Sequence, residues 1–202
     1  MKIAVVYYSM YGNTYRMAQA VAEGGQAVPD ADVALYRAPE MVPQEVIDAN
    51  PAMNAAREEQ AGIPEVTNDD LAAADGLCLG SPTRFGNMAA QLKQVLDRTG
   101  QLWMEGALIG KPAGVFCCTA SLHGGQETTC LSMMLPLMHH GMLIVGVPYS
   151  VAELMTTTRG GTPYGPTAVV GPDATQRPTD VDLAIARALG RRVAEVAAKL
   201  RA

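Results

Sequence analysis

The segment 2–8, KIAVVYY, places apolar, largely β-branched or aromatic side chains on consecutive positions rather than alternate ones. A strand with one face in water alternates polar and apolar residues. A run this continuous needs both faces covered, which a parallel sheet flanked by helices provides. Similar runs return at 74–80 (ADGLCLG), 112–118 (PAGVFCC) and 142–147 (MLIVGV), with a weaker alternating strand at 32–37 (DVALYR). Helical spacing fills the intervals. Met17, Ala18, Val21 and Ala22 share a face that Gly24-Gly25 should close. Met88, Leu92, Val95 and Leu96 predict a helix stopping at Gly100, residues 126–140 another despite Pro136, and 181–200 a final amphipathic one. Strand–helix alternation with right-handed crossovers gives an α/β, doubly wound sheet. Five such units fit the flavodoxin-like order 2-1-3-4-5 with helices on both faces.

The length suits one domain spanning 1–202. Within it, Pro39, Pro43, Pro51 and Pro64 break an irregular insertion at about 40–68 into short helical pieces. A stretch rich in Thr, Gly and Pro, about 148–179, is long enough to expect a function for it. The net charge of −5 disfavours a nucleic-acid partner. No apolar stretch approaches the roughly 18 residues of a membrane span. Four cysteines without CxxC spacing, and a start that opens directly as a strand, lead to the expectation of a cytoplasmic protein with reduced thiols.

Sheets of this kind bind ligands beyond the C-terminal ends of their strands. Three loops fall there, 9–14, 80–87 and 118–125, all polar or glycine-rich. In the first, Ser9, Thr14 and the amides around Gly12 and Asn13 can hold a phosphate with neutral donors, since no Lys or Arg lies between Ser9 and Thr14. An ordinary helix cap explains the same residues equally well. The loop is neither GxGxxG nor Walker A, and GALIGK at 106–111 has the wrong spacing for the latter. The position after strand 1 reads Tyr7, Tyr8, Ser9, Met10, without the acidic cluster of a phosphoreceiver domain.

Taken together, YYSMYGNT (7–14), GSPTRFGNMAAQLKQVLDRTGQLW (80–103), HHGM (139–142) and RGGTPYG (159–165) resemble the WrbA family of FMN-dependent NAD(P)H:quinone oxidoreductases. The resemblance implies FMN as cofactor, NADH or NADPH as electron donor, and a quinone as acceptor. It places Ser9, Met10, Tyr11, Gly12, Asn13 and Thr14 on the FMN phosphate, with Tyr11 also near the nicotinamide nucleotide. Pro82, Thr83, Arg84, Phe85 and Gly86 would follow the isoalloxazine ring, and Trp103 would face the quinone. Cys118, Thr119, Ala120, Ser121 and Gly124 would lie against the ring and ribityl chain. His139 would sit by the flavin across an interface of a homotetramer. No side chain is implied as catalytic, because the flavin carries the chemistry.

Without the resemblance, Trp103 reads as a half-buried core residue and His139-His140 as a helix end with no metal-ligand spacing. One segment departs from the family. Residues 118–127 read CTASLHGGQE where the family has a run like STGTGGGQE, so Ala120, Leu122 and His123 stand at small or glycine positions. Cys118 there reads as a small buried hydrophobe or as a redox group beside the flavin. The alternatives to an enzyme are a flavodoxin-type electron carrier and a binding protein that keeps only the fold.

Overall fold

The computed structural model describes residues 1–201. The sheet strands are β1 (Lys2–Tyr7), β2 (Asp32–Arg37), β3 (Gly76–Arg84), β4 (Asn87–Met88), β5 (Pro112–Thr119), β6 (Leu143–Ile144) and β7 (Thr167–Val169). Across the sheet the order is β2-β1-β3-β5-β6, with β4 hanging on β3 and β7 on β5. All the pairings are parallel except β3 with β4. The flavodoxin-like arrangement expected from the sequence is therefore the one observed.

Helices α1 (Asn13–Gln26), α2 (Gln44–Asp48), α3 (Pro51–Glu59), α4 (Asn68–Ala73), α5 (Ala90–Asp97), α6 (Gly100–Met104), α7 (Gln126–His139), α8 (Glu153–Thr156) and α9 (Asp180–Arg201) connect or cover these strands. The unbroken apolar runs are explained by two cores, one on each face of the sheet. Val6, Leu77, Leu79, Leu92, Met133 and Leu137 share the first. Val5, Tyr7, Val21, Phe116, Ile185 and Leu189 share the second. Neighbours Val5 and Val6 thus point to opposite cores, as strand geometry requires.

Several boundaries depart from the sequence reading, each for a physical reason. Gly24-Gly25 does not close α1 but lies inside it. A Cβ on Gly24 would stand 1.9 Å from Arg187 O, and one on Gly190 of α9 1.8 Å from Val21 O, so these glycines let two helix backbones touch. Strand β3 does not end at Gly80 but continues through Ser81 and Pro82, which pair with Cys117 and Cys118, to Arg84. Residues 80–87 are consequently a strand end and a hairpin. Phe85 (φ 55°) and Gly86 (φ 76°) form its two-residue turn, matching the left-handed geometry that tight hairpins favour. Met88 belongs to β4 rather than to the following helix, and Gly100 begins α6 rather than ending α5.

The fifth sheet position is not a single strand over 142–147. β6 pairs only with Pro112 and Ala113, after which the chain leaves the sheet. Val147 N donates to Pro163 O instead, and Pro148 has no N–H to offer. The chain then returns as β7 against Cys117, Cys118 and Thr119. Part of the long 148–179 segment is therefore sheet, and the chain beyond β7 reaches the strand ends.

The 40–68 insertion holds two short helices, α2 and α3, as the prolines suggest, and α4 begins at its end. Glu40 seats it. Its carboxylate accepts from the Tyr8 hydroxyl, Gln91 Nε2, Arg57 Nη1 and the amides of Met41 and Val42, at 2.8–3.3 Å.

Candidate functional site

The sheet register sets Tyr7 beside Gly80 and Pro82 beside Cys118, so the loops after β1 and β5 meet the β3 extension at one edge. A cavity of about 360 Å³ opens there. Of the residues singled out from sequence, Ser9, Met10, Tyr11, Asn13, Thr14, Pro82, Thr83, Arg84, Cys118, Thr119 and Ala120 line it.

The turn before α1 is shaped by Gly12 (φ 82°), a left-handed conformation that glycine adopts without penalty. Among the described residues no side chain caps α1. The cap position itself is Gly12, which has no side chain, and Asn13, the first helical residue, is turned elsewhere: its Nδ2 donates to Ala174 O at 2.8 Å and its Oδ1 accepts from Arg177 at 3.2 Å. Ser9 Oγ is buried without a hydrogen-bond partner among the described residues. A buried hydroxyl and an uncapped helix start are donors in want of an acceptor, and together they suit a phosphate better than a simple cap.

The opposite wall is the β3–β4 hairpin. Thr83 Oγ1 accepts from Gly86 N at 3.2 Å and from Thr129 Oγ1 at 2.9 Å, which fixes the turn against the start of α7. Ser81 Oγ accepts from Ala89 N at 2.8 Å behind it. Gly125 permits the contact, since a Cβ there would lie 2.8 Å from Gly86 Cα. Arg84 has no carboxylate partner among the described residues; its guanidinium reaches Thr83 O and, at 3.4 Å, Met10 Sδ, tying the two loops together. Phe85 is fully exposed in a left-handed conformation that costs a bulky residue energy.

In the third loop, Cys118, Thr119 and Ala120 reach the cavity, whereas Ser121 and Gly124 form the turn behind it. Thr119 Oγ1 donates to Ser121 O at 2.9 Å, and Gly124 N donates to the same carbonyl at 3.1 Å. Leu122 points to solvent, and His123 takes φ 59°. The bulkier residues of this departing loop therefore leave the cavity wall to its three small members. Burial pushes the Cys118 thiol up to about 12, despite a lowering contact from Thr14. It stays a protonated, small apolar wall.

Trp103 and His139 lie together but outside this cavity, in a groove between α6 and α7. Trp103 Nε1 donates to His139 O at 3.0 Å. Next to it, His140 is buried, with Nε2 2.8 Å from Thr99 Oγ1, and desolvation followed by its neighbour His139 lowers its pKa. Sequence reasoning missed the cavity's roof, Val170, Gly171, Pro172 and Ala174. The length and Gly/Pro content of 148–179 marked the segment but not the residues.

The doubly wound sheet, with a cavity at the β1 and β3 ends, defines a flavodoxin-like fold. The fold is similar to a WrbA-like flavodoxin from Agrobacterium tumefaciens, with a TM-score of 0.68 and 27% identity over 98% of both chains. A flavodoxin from the domain Archaea shares the fold at TM-score 0.63 and 21% identity, over 98% of this chain and 99% of that one. Residues 1–156 match the model of the family described as NADPH-dependent FMN reductase, and the chain belongs to that family. It is 48% identical to an NAD(P)H dehydrogenase (quinone) of Solidesulfovibrio magneticus over all of both chains. It is also 48% identical to a protein of the same name from Geobacter sulfurreducens over 99% of each.

Proposed function

We propose that this protein is an FMN-dependent NAD(P)H:quinone oxidoreductase, reducing quinones to hydroquinones by two electrons. The observation that carries the reading is the cavity floor: a buried Ser9 Oγ with no partner among the described residues, beside a helix start that none of their side chains caps, opposite a hairpin strand that offers Thr83 and Arg84. These residues fit FMN. Ser9, Gly12, Asn13 and Thr14 would take its phosphate, Thr83 to Gly86 the ring edge, and Cys118, Thr119 and Ala120 the ring and ribityl side.

FMN supplies the electron transfer between the nucleotide and the quinone. This chain's residues do the rest. The guanidinium of Arg84 brings positive charge to the cavity, where it favours negative charge on a reduced ligand. The roof at Val170 and Ala174 keeps water from one side of the bound ring. Tyr11, half-buried at the rim, is free for the incoming nucleotide. Cys118, held protonated, adds no competing thiolate. Both substrates use one opening in turn.

The reading extends to a homotetramer in the cytoplasm, the whole chain acting as one domain. Support for assembly comes from α7, whose Leu131, Leu135 and Met138 are exposed along one side, near exposed Trp103 and Met104. Such a stripe suits burial against another copy. It would bring Trp103 and His139 toward a neighbour's cavity, as the family resemblance implies. Among the described residues no helix is long and apolar enough to cross a membrane.

Steady-state kinetics test the reading. FMN-saturated protein should oxidise NADH or NADPH only when a benzoquinone is present, with parallel double-reciprocal plots. Absence of quinone-dependent oxidation with both nucleotides refutes it.

A further inference from the structure

The turn before α1 has no cation of its own before Arg16, and Arg16 is drawn to Glu59 at 3.6 Å. The tertiary structure delivers one from 164 residues away. Arg177 Nη1 donates to Asn13 Oδ1 and to Tyr11 O, each at 3.2 Å. The same nitrogen lies 3.7 Å from where a Gly12 Cβ would be, and Glu59 Oε2 lies 3.5 Å from that point. Arg177, Arg16 and Glu59 thus gather at the turn with one net positive charge.

Arg177 stands three residues beyond Ala174, the last of the cavity's roof residues. Ala174 O, from the same segment, accepts from Asn13 Nδ2 at 2.8 Å, so the roof is tied to the turn at both residues. From its far side, Arg159 Nη2 donates to Val169 O and Gln176 Oε1, both at 2.6 Å. A trans peptide sets its carbonyl and N–H on opposite sides. By holding the Tyr11 carbonyl, Arg177 therefore also fixes the direction of the Gly12 N–H.

We propose that Arg177 is a positioning residue of the phosphate subsite, supplying the charge that makes the turn prefer a phosphorylated flavin to the same flavin without phosphate. This rests on the flavin reading above. Neutral donors such as the Ser9 hydroxyl bond single phosphate oxygens, whereas a cation adds attraction to both of the phosphate's negative charges. Arg177 is exposed, so its removal leaves the core intact.

The test is titration of wild type, Arg177→Ala and Arg177→Lys with FMN and with riboflavin, followed by flavin fluorescence. Arg177→Ala should weaken FMN about tenfold and riboflavin less than about twofold, with Arg177→Lys between wild type and Arg177→Ala for FMN. The gap between wild type and Arg177→Ala should narrow as salt rises from about 0.02 to 0.5 M. Equal weakening of both flavins would mean that the residue only shapes the roof and would overturn the proposal. So would unchanged FMN affinity. A wild-type protein that binds neither flavin refutes the functional reading itself, before any variant is compared.

Discussion

Replacing Gly190 by Ala should destabilise the protein severely, although Ala is the better helix former. In an open helix the change would gain about 1 kcal/mol. Here the new Cβ would stand 1.8 Å from Val21 O of α1, against a closest tolerable approach near 3.0 Å. The obstacle is backbone and cannot rotate away, so α1 and α9 must part by about 1.2 Å. Overpacking of this kind costs roughly 1–3 kcal/mol and sometimes more. Lost contact along both helices adds to it, and a net loss of about 2–4 kcal/mol results. For a chain of this length that lowers Tm by about 5–15 °C. Urea and thermal unfolding measure it, with Gly100→Ala as the control, because nothing lies within 4 Å of that Cβ. A Gly190→Ala protein as stable as wild type, or a control equally damaged, would refute the backbone-contact argument. Because α1 begins at the candidate phosphate turn, FMN affinity should fall along with stability.

Glu40→Ala should lose about 3–5 kcal/mol in urea unfolding, since Tyr8, Gln91 and Arg57 all lose their acceptor; a loss below about 1 kcal/mol would show the insertion to be seated otherwise. Ser9→Ala should weaken FMN several-fold but leave riboflavin and Tm nearly unchanged, and equal effects on both flavins would remove Ser9 from the phosphate. Phe85→Asn should raise stability by up to about 1 kcal/mol, because Asn tolerates positive φ, while lowering quinone turnover; unchanged turnover would deny the ring a role. Burial raises Cys78 and Cys118 from the ordinary 9.0 to about 12. Above pH 9 the unfolded thiols lose protons that the folded ones keep, so stability is full below that pH and falls by about 1.4 kcal/mol per pH unit for each thiol toward pH 12. Equal urea midpoints at pH 8 and pH 10 would contradict this.

Period and composition made the architecture legible. Unbroken apolar runs declared strands buried on both faces, and their alternation with helical spacing dictated a parallel doubly wound sheet, independent of any particular contact. The positions of the three ligand loops come from that topology, and most residues singled out in them do line one cavity. The runs could not show where a strand yields to a competing pair. The Gly146-Val147 that follows β6 looks like strand until Pro163 O takes the Val147 N–H. Gly24-Gly25 looks like a stop until α9 packs against it. In each case the deciding partner is distant in sequence.

The candidate site divides the same way. Local chemistry marked Ser9 to Thr14 as donors, because small hydroxyls and glycine leave a short-range signature, whereas Pro82 to Gly86 were singled out by the family resemblance within a stretch read as loop, and the hairpin they form appears only in the fold. That the cap position falls on Gly12, and that Asn13 turns to Ala174 and Arg177, are decided by the fold. Residue order alone was enough for the sheet, the three loops and the neutral donors, since each is written in neighbouring positions. The roof and its cation came from folding, because a hydrogen bond between residues 164 positions apart leaves no periodicity for a sequence to display.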